Sequence, residues 1–388
     1  MSYGKSIRVA VSYLIVSRDF WPNSAAIGDG LMCLARTLSK TNKTYVATMS
    51  RQNLSELDSL ESGGTSSISF HIARPLTNSS SGIFFRVIEL IYFSFWLLIS
   101  LLRSNPSIVY MATNPPLLVP FVVAVYCKIF RKKYVYHVQD IHPEATSLLI
   151  SIPGFVISTF QAVDTWVLNN AYRVVTLTED MRVSLQARGV KRDDITLIEN
   201  PSTVSSSLSQ DKVQGVVFSG NAGRLQLMDI VLEAIERYLQ ADGQLKFCFV
   251  GAGVYKGRLF DLARRYQKFS YEGHVDGETA LKITSGYRWA LLPIMPEVLS
   301  YAYPSKIPGY ISAGCEIISV TSHETSLAKW VESSGCGKNV EPSVDALIKC
   351  FNELNIQSNT SECIIPKRLF STPDTFANDL YKLLKDNK

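Results

Sequence analysis

The chain has 388 residues, more than one hydrophobic core usually holds, so its length predicts two domains. Its residues are 46% hydrophobic and 19% charged, which is typical of a globular protein and excludes a disordered or low-complexity chain. The formal net charge of +5 is small and the basic residues are scattered, which argues against a nucleic-acid-binding groove.

The cysteines and the N-terminal stretch both predict a cytoplasmic protein. The seven cysteines form an odd set without CxxC or CxxH spacing, so we expect reduced thiols in a reducing compartment. The stretch MSYGKSIRVAVSYLIVSRDF alternates in polarity, which indicates a first β-strand and not a signal peptide.

Strands alternate with helices along the first half, which is the pattern of a parallel α/β sheet. We predict strands at 8–16, 44–48, 68–73, 108–112, 134–138, 173–177 and 195–198. We predict helices at 28–40, 83–104, 117–130, 155–169 and 179–188.

The segment IFFRVIELIYFSFWLLISLL, residues 83–102, is the most apolar part of the chain. Arg86 and Glu89 interrupt it, so a membrane span, which needs about 20 uncharged residues, is not expected. Two interpretations stay open. The segment is a helix buried between sheet and solvent, or it also touches a bilayer surface through its aromatic residues Tyr92, Phe95 and Trp96, with the basic cluster 131–133 nearby.

The serine-rich segment NPSTVSSSLSQDKVQ, residues 200–214, has no hydrophobic period and marks the best domain boundary. We predict a first domain at 1–200, a linker at 201–214 and a second domain at 215–388, whose last helix can pack back on the first domain. In the second domain we predict strands at 215–219, 245–250, 269–273, 288–293 and 316–320, and helices at 227–238, 255–266, 277–285, 305–313, 325–333, 344–353 and 373–386.

This alternation predicts an α/β protein with two Rossmann-like, doubly wound domains. We expect them to face each other across a cleft between the carboxyl ends of their sheets, because ligands of such sheets bind there.

A single lysine stands where a helix begins in YPSKIPGYISAGCEIISV, residues 303–320. Ser305 can cap this helix, and Pro308 is tolerated because it falls in the first turn. Together, the helix N-terminus and Lys306 favour an anion such as a phosphate. The alternative is an ordinary surface lysine near a helix cap.

Two glycine-containing turns join strands to helices in the same half. In VVFSGNAGRLQL the glycines Gly220 and Gly223 flank Asn221, and Arg224 follows. FCFVGAGVYKGRL repeats the arrangement with Gly251 and Gly253. Each turn alone is a common structure, but turns of this kind converging with Lys306 on one rim predict a nucleotide-diphosphate site.

These motifs resemble those of GT-B glycosyltransferases of family 4, particularly the bacterial enzymes that build O-antigen, capsule or exopolysaccharide. The matching stretches are FSGNAGR, FVGAG, LLPI and YPSK…GY…AG…II in the second half, and DFWPNSAAIGDGLMCLARTL and VQDIHPE in the first. The resemblance spans nearly the whole chain.

The resemblance implies a UDP- or GDP-sugar donor bound by the second domain and an acceptor bound by the first. Arg224 and Lys306 would bind the donor diphosphate, and the glycines would lie near its base and ribose. The family usually has a ribose-binding glutamate where this chain has Gly309, and Glu297 is a candidate for the earlier acidic residue of the pattern.

The first-domain candidates lie in YHVQDIHPE, after a predicted central strand. A general base, or a polar group that holds the sugar, needs a titratable side chain at this end of a strand. Asp140 and Glu144 match the family signature Asp-x-x-Pro-Glu and are preferred, with His137 and His142 as further candidates. Gly28 and Gly30, before the first helix, could let the backbone approach a sugar or phosphate.

No metal-binding pattern is visible, since the chain has no Asp-x-Asp, no His-x-x-x-His and no cysteine pair at ligand spacing. We therefore expect no metal and no cofactor. The preferred function is sugar transfer to a lipid-linked or saccharide acceptor at the inner face of the cytoplasmic membrane, and the resemblance implies retention of configuration. A GT-B nucleotide-sugar epimerase and a non-catalytic binding protein remain alternatives.

Overall fold

The computed structural model describes residues 11–22, 27–77, 81–202, 212–357 and 371–386. The chain divides into two compact units: unit 1 comprises Met1–Pro201 and Ser371–Lys388, and unit 2 comprises Ser202–Phe370. The start of the first predicted strand, 8–10, and most of the predicted linker, 203–211, lie outside the described residues.

Unit 1 contains a seven-stranded parallel sheet in the order β3-β2-β1-β4-β5-β6-β7. Its central strands are short apolar runs that are buried along most of their length, as expected for a sheet covered on both faces. The strands are β1 (Ser12–Val16), β2 (Lys43–Met49), β3 (Ile68–Ala73), β4 (Ile108–Ala112), β5 (Lys133–His137), β6 (Arg173–Thr176) and β7 (Thr196–Leu197).

The helices of unit 1 pack around this sheet. They are α1 (Gly28–Ser39), α2 (Leu54–Ser62), α3 (Ile83–Ser104), α4 (Leu118–Ile129), α5 (Glu144–Ser147), α6 (Gly154–Asn170), α7 (Glu179–Ala187) and α15 (Pro373–Lys385). The sequence did not predict α2 or α5. Few residues of α2 are buried, and its start depends on Asn53, whose side chain accepts a hydrogen bond from the amide of Glu56.

Unit 2 repeats the strand order in a six-stranded parallel sheet, β10-β9-β8-β11-β12-β13. Its strands are β8 (Val213–Ser219), β9 (Lys246–Val250), β10 (Phe269–Gly273), β11 (Tyr287–Pro293), β12 (Glu316–Val320) and β13 (Gly337–Val340). Its helices are α8 (Met228–Gln240), α9 (Lys256–Arg265), α10 (Gly277–Ser285), α11 (Pro296–Leu299), α12 (Ile307–Ser312), α13 (Ser326–Ser334) and α14 (Val344–Gln357), with a 3-10 turn at Arg224–Gln226.

The predicted α/β fold class is confirmed, since each unit is a doubly wound parallel sheet with helices. In both units the order of strands reverses beside the first strand, between β1 and β4 in unit 1 and between β8 and β11 in unit 2. Such switch points leave a crevice at the carboxyl ends of the strands, where ligands of this class of sheet bind.

Helix α3 has one packed face and one exposed face. Phe93, Leu97 and Leu101 are fully buried, whereas Phe84 and Phe95 are 69% and 66% exposed. From Phe84 to Ser104 the helix is long and apolar enough to cross a membrane by length and composition, and 33% of its apolar window is buried. The first half of α3 is therefore exposed on one face. The interpretation of α3 as a helix buried between sheet and solvent does not describe this half.

Helix α15 completes the core of unit 1 although it follows unit 2 in the chain. Phe376 is fully buried and lies on Gly30 of α1, where a β-carbon would overlap the phenylalanine ring. The same ring lies 5.9 Å from the imidazole of His137. Gly30 is therefore needed for helix packing, which differs from the ligand contact that the sequence suggested for the glycines of this segment.

We predict that Phe376→Ala lowers the free energy of unfolding by about 3–5 kcal/mol, because it removes a large side chain from a closed core. Denaturant unfolding would measure this loss. The control is Phe155→Ala, since Phe155 is 75% exposed and its removal should change stability by less than about 0.5 kcal/mol. Equal effects of the two substitutions would contradict the packing of α15 in unit 1.

Candidate active site

The loops after β8 and β9 are joined backbone to backbone at the carboxyl edge of the unit 2 sheet. The amide of Gly220 donates to Val250 O at 2.8 Å, and the amide of Ala222 donates to Ala252 O at 2.7 Å. Gly251 and Gly253 have positive φ, and a β-carbon at either would overlap a carbonyl oxygen of the neighbouring loop. These two glycines thus hold the loops together, a role different from the predicted ligand approach.

Lys306 lies against the first of these loops. A β-carbon on Gly220 would fall 2.5 Å from the Lys306 Cε atom. The lysine side chain therefore fits here only because residue 220 is a glycine. The Nζ atom lies 5.3 Å from the ring centroid of Phe218. The structure thus brings together two residues that the sequence placed after different strands, β8 and β11.

The environment of Lys306 disfavours its charge. Burial lowers the pKa of its ammonium group. Within the part of the chain that the structure describes, no hydrogen bond or ion pair to this side chain is found. A partly buried ammonium without a carboxylate partner is available to bind an anion.

The helix after Lys306 contributes less than the sequence suggested. Ser305 is exposed and does not cap it; Lys306 itself is the N-cap residue, without a side-chain hydrogen bond, so the predicted cap is wrong. Pro308 lies in the first turn, as predicted. Because α12 has only six residues, the charge at this position comes mainly from the lysine.

Two residues that sequence reasoning missed hold α12 in place. The hydroxyl of the fully buried Tyr310 accepts from the amide of Ser219 at 3.1 Å and donates to Leu291 O at 3.1 Å, which ties α12 to the ends of β8 and β11. At the other end of α12, Lys212 Nζ donates to Ala313 O at 2.9 Å and Gly314 O at 2.6 Å. The GY in the quoted motif was a signal for Tyr310, but nothing nearby in sequence pointed to Lys212.

The other predicted donor-site residues of unit 2 lie on the same edge. Arg224 begins the 3-10 turn, is exposed, and acts electrostatically on Tyr255 at the start of α9.

Asn221 is exposed, and the amide of Gly223 donates to Gln226 Oε1 at 2.9 Å. Glu297 is exposed on α11, whose preceding residue Met295 bonds to Leu225 O at 3.0 Å. Their ligand contacts remain predictions.

In unit 1, His137 is too deeply buried to contact a substrate. It has no exposed surface, and its Nδ1 and Nε2 atoms bond to Tyr110 Oη at 2.6 Å and Gln139 Nε2 at 2.9 Å. Burial lowers its pKa to about 3, so it stays neutral. We assign it a structural role in place of the predicted catalytic one.

Glu144 also has a structural role. Its carboxylate accepts from Arg188 Nη1 at 3.1 Å and from Gln161 Nε2 at 2.9 Å. Arg188 also pairs with the buried Asp164, which accepts from Tyr136 Oη at 3.1 Å. The arrangement ties α5, α6, α7 and β5 together, and it does not support the predicted catalytic role of Glu144.

Asp140 has the opposite environment, although it lies only four residues from Glu144. Burial raises the pKa of its carboxyl group to about 6. Among the described residues, none is found to donate a hydrogen bond or to form an ion pair with it. Of the four candidates in this segment, Asp140 is therefore the one whose geometry suits binding or proton transfer.

The remaining first-domain candidates are placed as follows. His142 Nδ1 lies 2.9 Å from Thr146 Oγ1, and burial lowers the pKa of its imidazole. Gly28 is the buried first residue of α1, and residues 23–26 before it lie outside the described residues. Among the residues that the structure describes, no group of three or more His, Cys, Asp or Glu side chains is arranged to hold a metal ion.

Two doubly wound α/β units with these strand orders define a protein of the GT-B class. Residues 62–201 match the family model described as "Glycosyl transferase 4-like domain". The predicted resemblance to family 4-like GT-B glycosyltransferases is confirmed by this match and by the fold.

Solved structures agree with this fold. HepE of Anabaena, crystallised with UDP, is 13% identical with a TM-score of 0.60, over 96% of this chain and 95% of that one. A glycosyltransferase of Rickettsia africae is 14% identical with a TM-score of 0.66, over 98% and 100%. A Listeria monocytogenes protein described as a UDP-N-acetylglucosamine 2-epimerase is 11% identical with a TM-score of 0.61, over 97% and 96%. No curated protein was found to match the chain.

We predict that Lys306→Met weakens binding of UDP or GDP by about 10- to 100-fold, because a charge-assisted hydrogen bond contributes about 1.5–3 kcal/mol. Thermal shift with each nucleotide measures this, since about 100 Kd of ligand stabilises the wild type by about 2.7 kcal/mol. The folded protein disfavours the charged lysine, so the variant should be at least as stable as the wild type at pH 7 without ligand. The exposed Lys282 is the control: Lys282→Met should leave binding unchanged.

We predict that Asp140→Asn stabilises the protein at pH 7.5 by on the order of 2 kcal/mol, because the folded-state pKa of Asp140 lies above its unfolded value. Between pH 4 and 6 the folded state holds the proton more tightly, so ionisation lowers stability as pH rises through this window. The difference between variant and wild type should therefore vanish towards pH 4. A destabilised variant at pH 7.5 would show that Asp140 has a structural partner.

Proposed function

We propose that the protein transfers a sugar from a UDP- or GDP-sugar to a lipid-linked or saccharide acceptor in the synthesis of a bacterial surface polysaccharide. The observation that carries this proposal is Lys306, whose desolvated ammonium lies without a carboxylate partner among the described residues, at the switch point of unit 2. A diphosphate supplies the negative charge that this position lacks.

In the proposed reaction, unit 2 binds the donor and its cations stabilise the departing nucleoside diphosphate. The bond between the anomeric carbon and the diphosphate oxygen breaks, and the acceptor oxygen bonds to that carbon. With retention of configuration, the acceptor proton passes to the departing phosphate. Lys306 and Arg224 offset the charge on the leaving group, so we propose that no metal ion and no cofactor are required.

Asp140 is proposed to accept a hydrogen bond from the acceptor hydroxyl. The ionised carboxylate of Asp140 can only accept hydrogen bonds, whereas the protonated acid can also donate one. A pKa of about 6 keeps the ionised form dominant at cytoplasmic pH. Activity that depends on this group should fall as the pH drops through about 6.

Gly309 in place of the family's glutamate means either that ribose binding differs here or that activity is lost, and we propose the first. Gly309 is exposed, and among the described residues no atom outside its own helix lies within 4 Å of where its β-carbon would be. The position therefore has room for a glutamate but lacks its carboxylate. Glu297 on α11 is our candidate for a substitute acidic group on this edge.

The exposed face of α3 supports a location at the inner surface of the cytoplasmic membrane. Two aromatic residues at its start, Phe84 and Phe85, are 69% and 61% exposed. An amphipathic helix of this kind can lie in the headgroup region without spanning the bilayer. A nucleotide-sugar epimerase acts on a soluble substrate and has no need of such a surface, which favours the transferase.

We predict that radiolabelled donor and a bacterial membrane extract give labelled lipid-linked or saccharide product, and that EDTA does not reduce the rate. Lys306→Met should abolish labelling, because it removes charge stabilisation of the leaving group. Asp140→Asn should lower the rate at pH 7.5 and remove its decline near pH 6. Lys282→Met should label normally.

The other outcomes of this assay separate the alternatives. Release of an isomerised sugar nucleotide without acceptor would identify an epimerase. Nucleotide binding without turnover for any donor would identify a non-catalytic protein. Full labelling by Lys306→Met would contradict the proposed diphosphate site.

A further inference from the structure

A pocket of about 210 Å³ lies between strand β3, at the edge of the unit 1 sheet, and the second half of helix α3. Its polar lining consists of His71 from β3 and of Ser100 and Arg103 from α3. No residue of this pocket has a part in the proposed sugar transfer, so its chemistry requires a separate explanation.

The polar groups of this pocket suit a phosphate. His71 Nδ1 lies 2.5 Å from Ser100 Oγ, and among the described residues no partner is found for His71 Nε2 or for the guanidinium of Arg103. Burial and the nearby Arg103 lower the pKa of His71, so the imidazole is neutral and Arg103 supplies the positive charge. A guanidinium group beside an imidazole nitrogen favours the oxygens of a phosphate.

An exposed apolar stripe runs along α3 beside this pocket. Its members are between 41% and 69% exposed: Phe84, Ile88, Ile91, Phe95 and Leu102. Ile99, which lines the pocket, lies four residues after Phe95 and three before Leu102, so it is a neighbour of both on the helix surface. The pocket therefore adjoins the stripe on a single helix.

The apolar surface extends beyond α3 to the helices beside it. Helix α4 packs against both α3 and α6. On α4, Phe121 and Ile129 are 39% and 68% exposed, and at the start of α6 Phe155 is 75% exposed. A surface with this many exposed apolar side chains is typical of an interaction site.

The charge of these three helices indicates what covers them. The sequence has no Asp or Glu from residue 90 to residue 139, and the acidic residues of α3 and α6, Glu89 and Asp164, are buried and paired with arginines. A second copy of the chain would bring like charges together, whereas an anionic lipid surface would neutralise them. The exposed charged residues of these helices and of the turn after α4 are all positive: Arg86, Arg103, Lys128, Arg131 and Lys133.

We propose that the pocket between β3 and α3 binds the phosphate of an anionic phospholipid headgroup, while the stripe of α3 and the exposed apolar residues of α4 and α6 enter the bilayer surface. Helix α3 then lies in the plane of the membrane, because its opposite face, with Phe93 and Leu97, stays packed in unit 1. This inference rests on the proposed function and deepens it, since it names the class of lipid and a site for its headgroup.

Flotation of the full chain with lipid vesicles tests the proposal. We expect at least 10-fold tighter binding to phosphatidylglycerol than to phosphatidylcholine vesicles, with the difference falling as salt is added. Ile91→Ser combined with Phe95→Ser should weaken binding at least 10-fold, because two apolar side chains no longer enter the bilayer. The matched control is Val254→Ser with Ile356→Ser, which removes two exposed apolar residues of unit 2 and should change binding less than twofold.

The headgroup pocket has its own variants. Arg103→Ala should weaken binding to phosphatidylglycerol vesicles about fivefold, whereas Arg264→Ala, at an exposed arginine of α9, should weaken it less than twofold. His71→Phe should also weaken it about fivefold, although the neutral imidazole carries no charge, because it removes a phosphate contact. Thermal unfolding verifies that each variant is folded.

Three results would overturn the proposal. The first is wild-type vesicle binding by both Arg103→Ala and His71→Phe, which would leave the pocket without a role. The second is displacement from vesicles by inorganic phosphate, which would assign the pocket to a soluble phosphate compound. The third is a dimer without vesicle binding that Ile91→Ser with Phe95→Ser dissociates, which would assign the surface to a second copy.

Nucleotide binding separates this inference from the proposed function. Lys306→Met should bind phosphatidylglycerol vesicles as the wild type does, since Lys306 lies in unit 2 and the proposed lipid surface in unit 1. Absence of UDP and GDP binding with vesicle binding intact would defeat the proposed function alone. Normal nucleotide binding without vesicle binding would defeat only the lipid surface.

Discussion

The ammonium group of Lys306 lies on the backbone of Gly220 and near the ring of Phe218, where burial disfavours its charge. A folded protein tolerates such a group when a ligand later supplies the opposite charge. The surrounding structure maintains this position: Tyr310 ties the helix after the lysine to two strands, and Lys212 bonds to the carbonyls at that helix's far end. Burial of this cation lowers the stability of unit 2 at neutral pH, which is the expected cost of the proposed anion site.

The two units hold a cationic side chain at the carboxyl edge of the sheet in different ways. Each has a doubly wound sheet whose strand order reverses beside its first strand, so each presents a crevice at the carboxyl edge. In unit 2, Gly220 follows β8 and has no side chain, which leaves room for the side chain of Lys306 over the loop. In unit 1 the side chain after β1 is that of Arg18, which donates a hydrogen bond to the buried carboxylate of Glu89.

Much of the fold follows from the sequence because strongly apolar strands and long periodic helices have few alternatives. The bounds of β3, β4, β10, β12, α3 and α10 agree with the predicted ranges. The short helices α2, α5 and α11 were missed because their few buried residues give no hydrophobic period.

The site was less predictable, because sequence does not reveal which polar side chains find partners. Glu144 and Asp140 occur in the same motif, yet Arg188, more than forty residues away, engages only the first. Tertiary contacts of this kind decide which carboxylate is left for chemistry.

The return of α15 to unit 1 has a consequence for biosynthesis. During translation, unit 1 emerges from the ribosome without the helix that carries Phe376, and the surface around Gly30 and His137 stays uncovered until all of unit 2 has been made. The nascent first unit therefore depends on the completion of the second before its hydrophobic core can close.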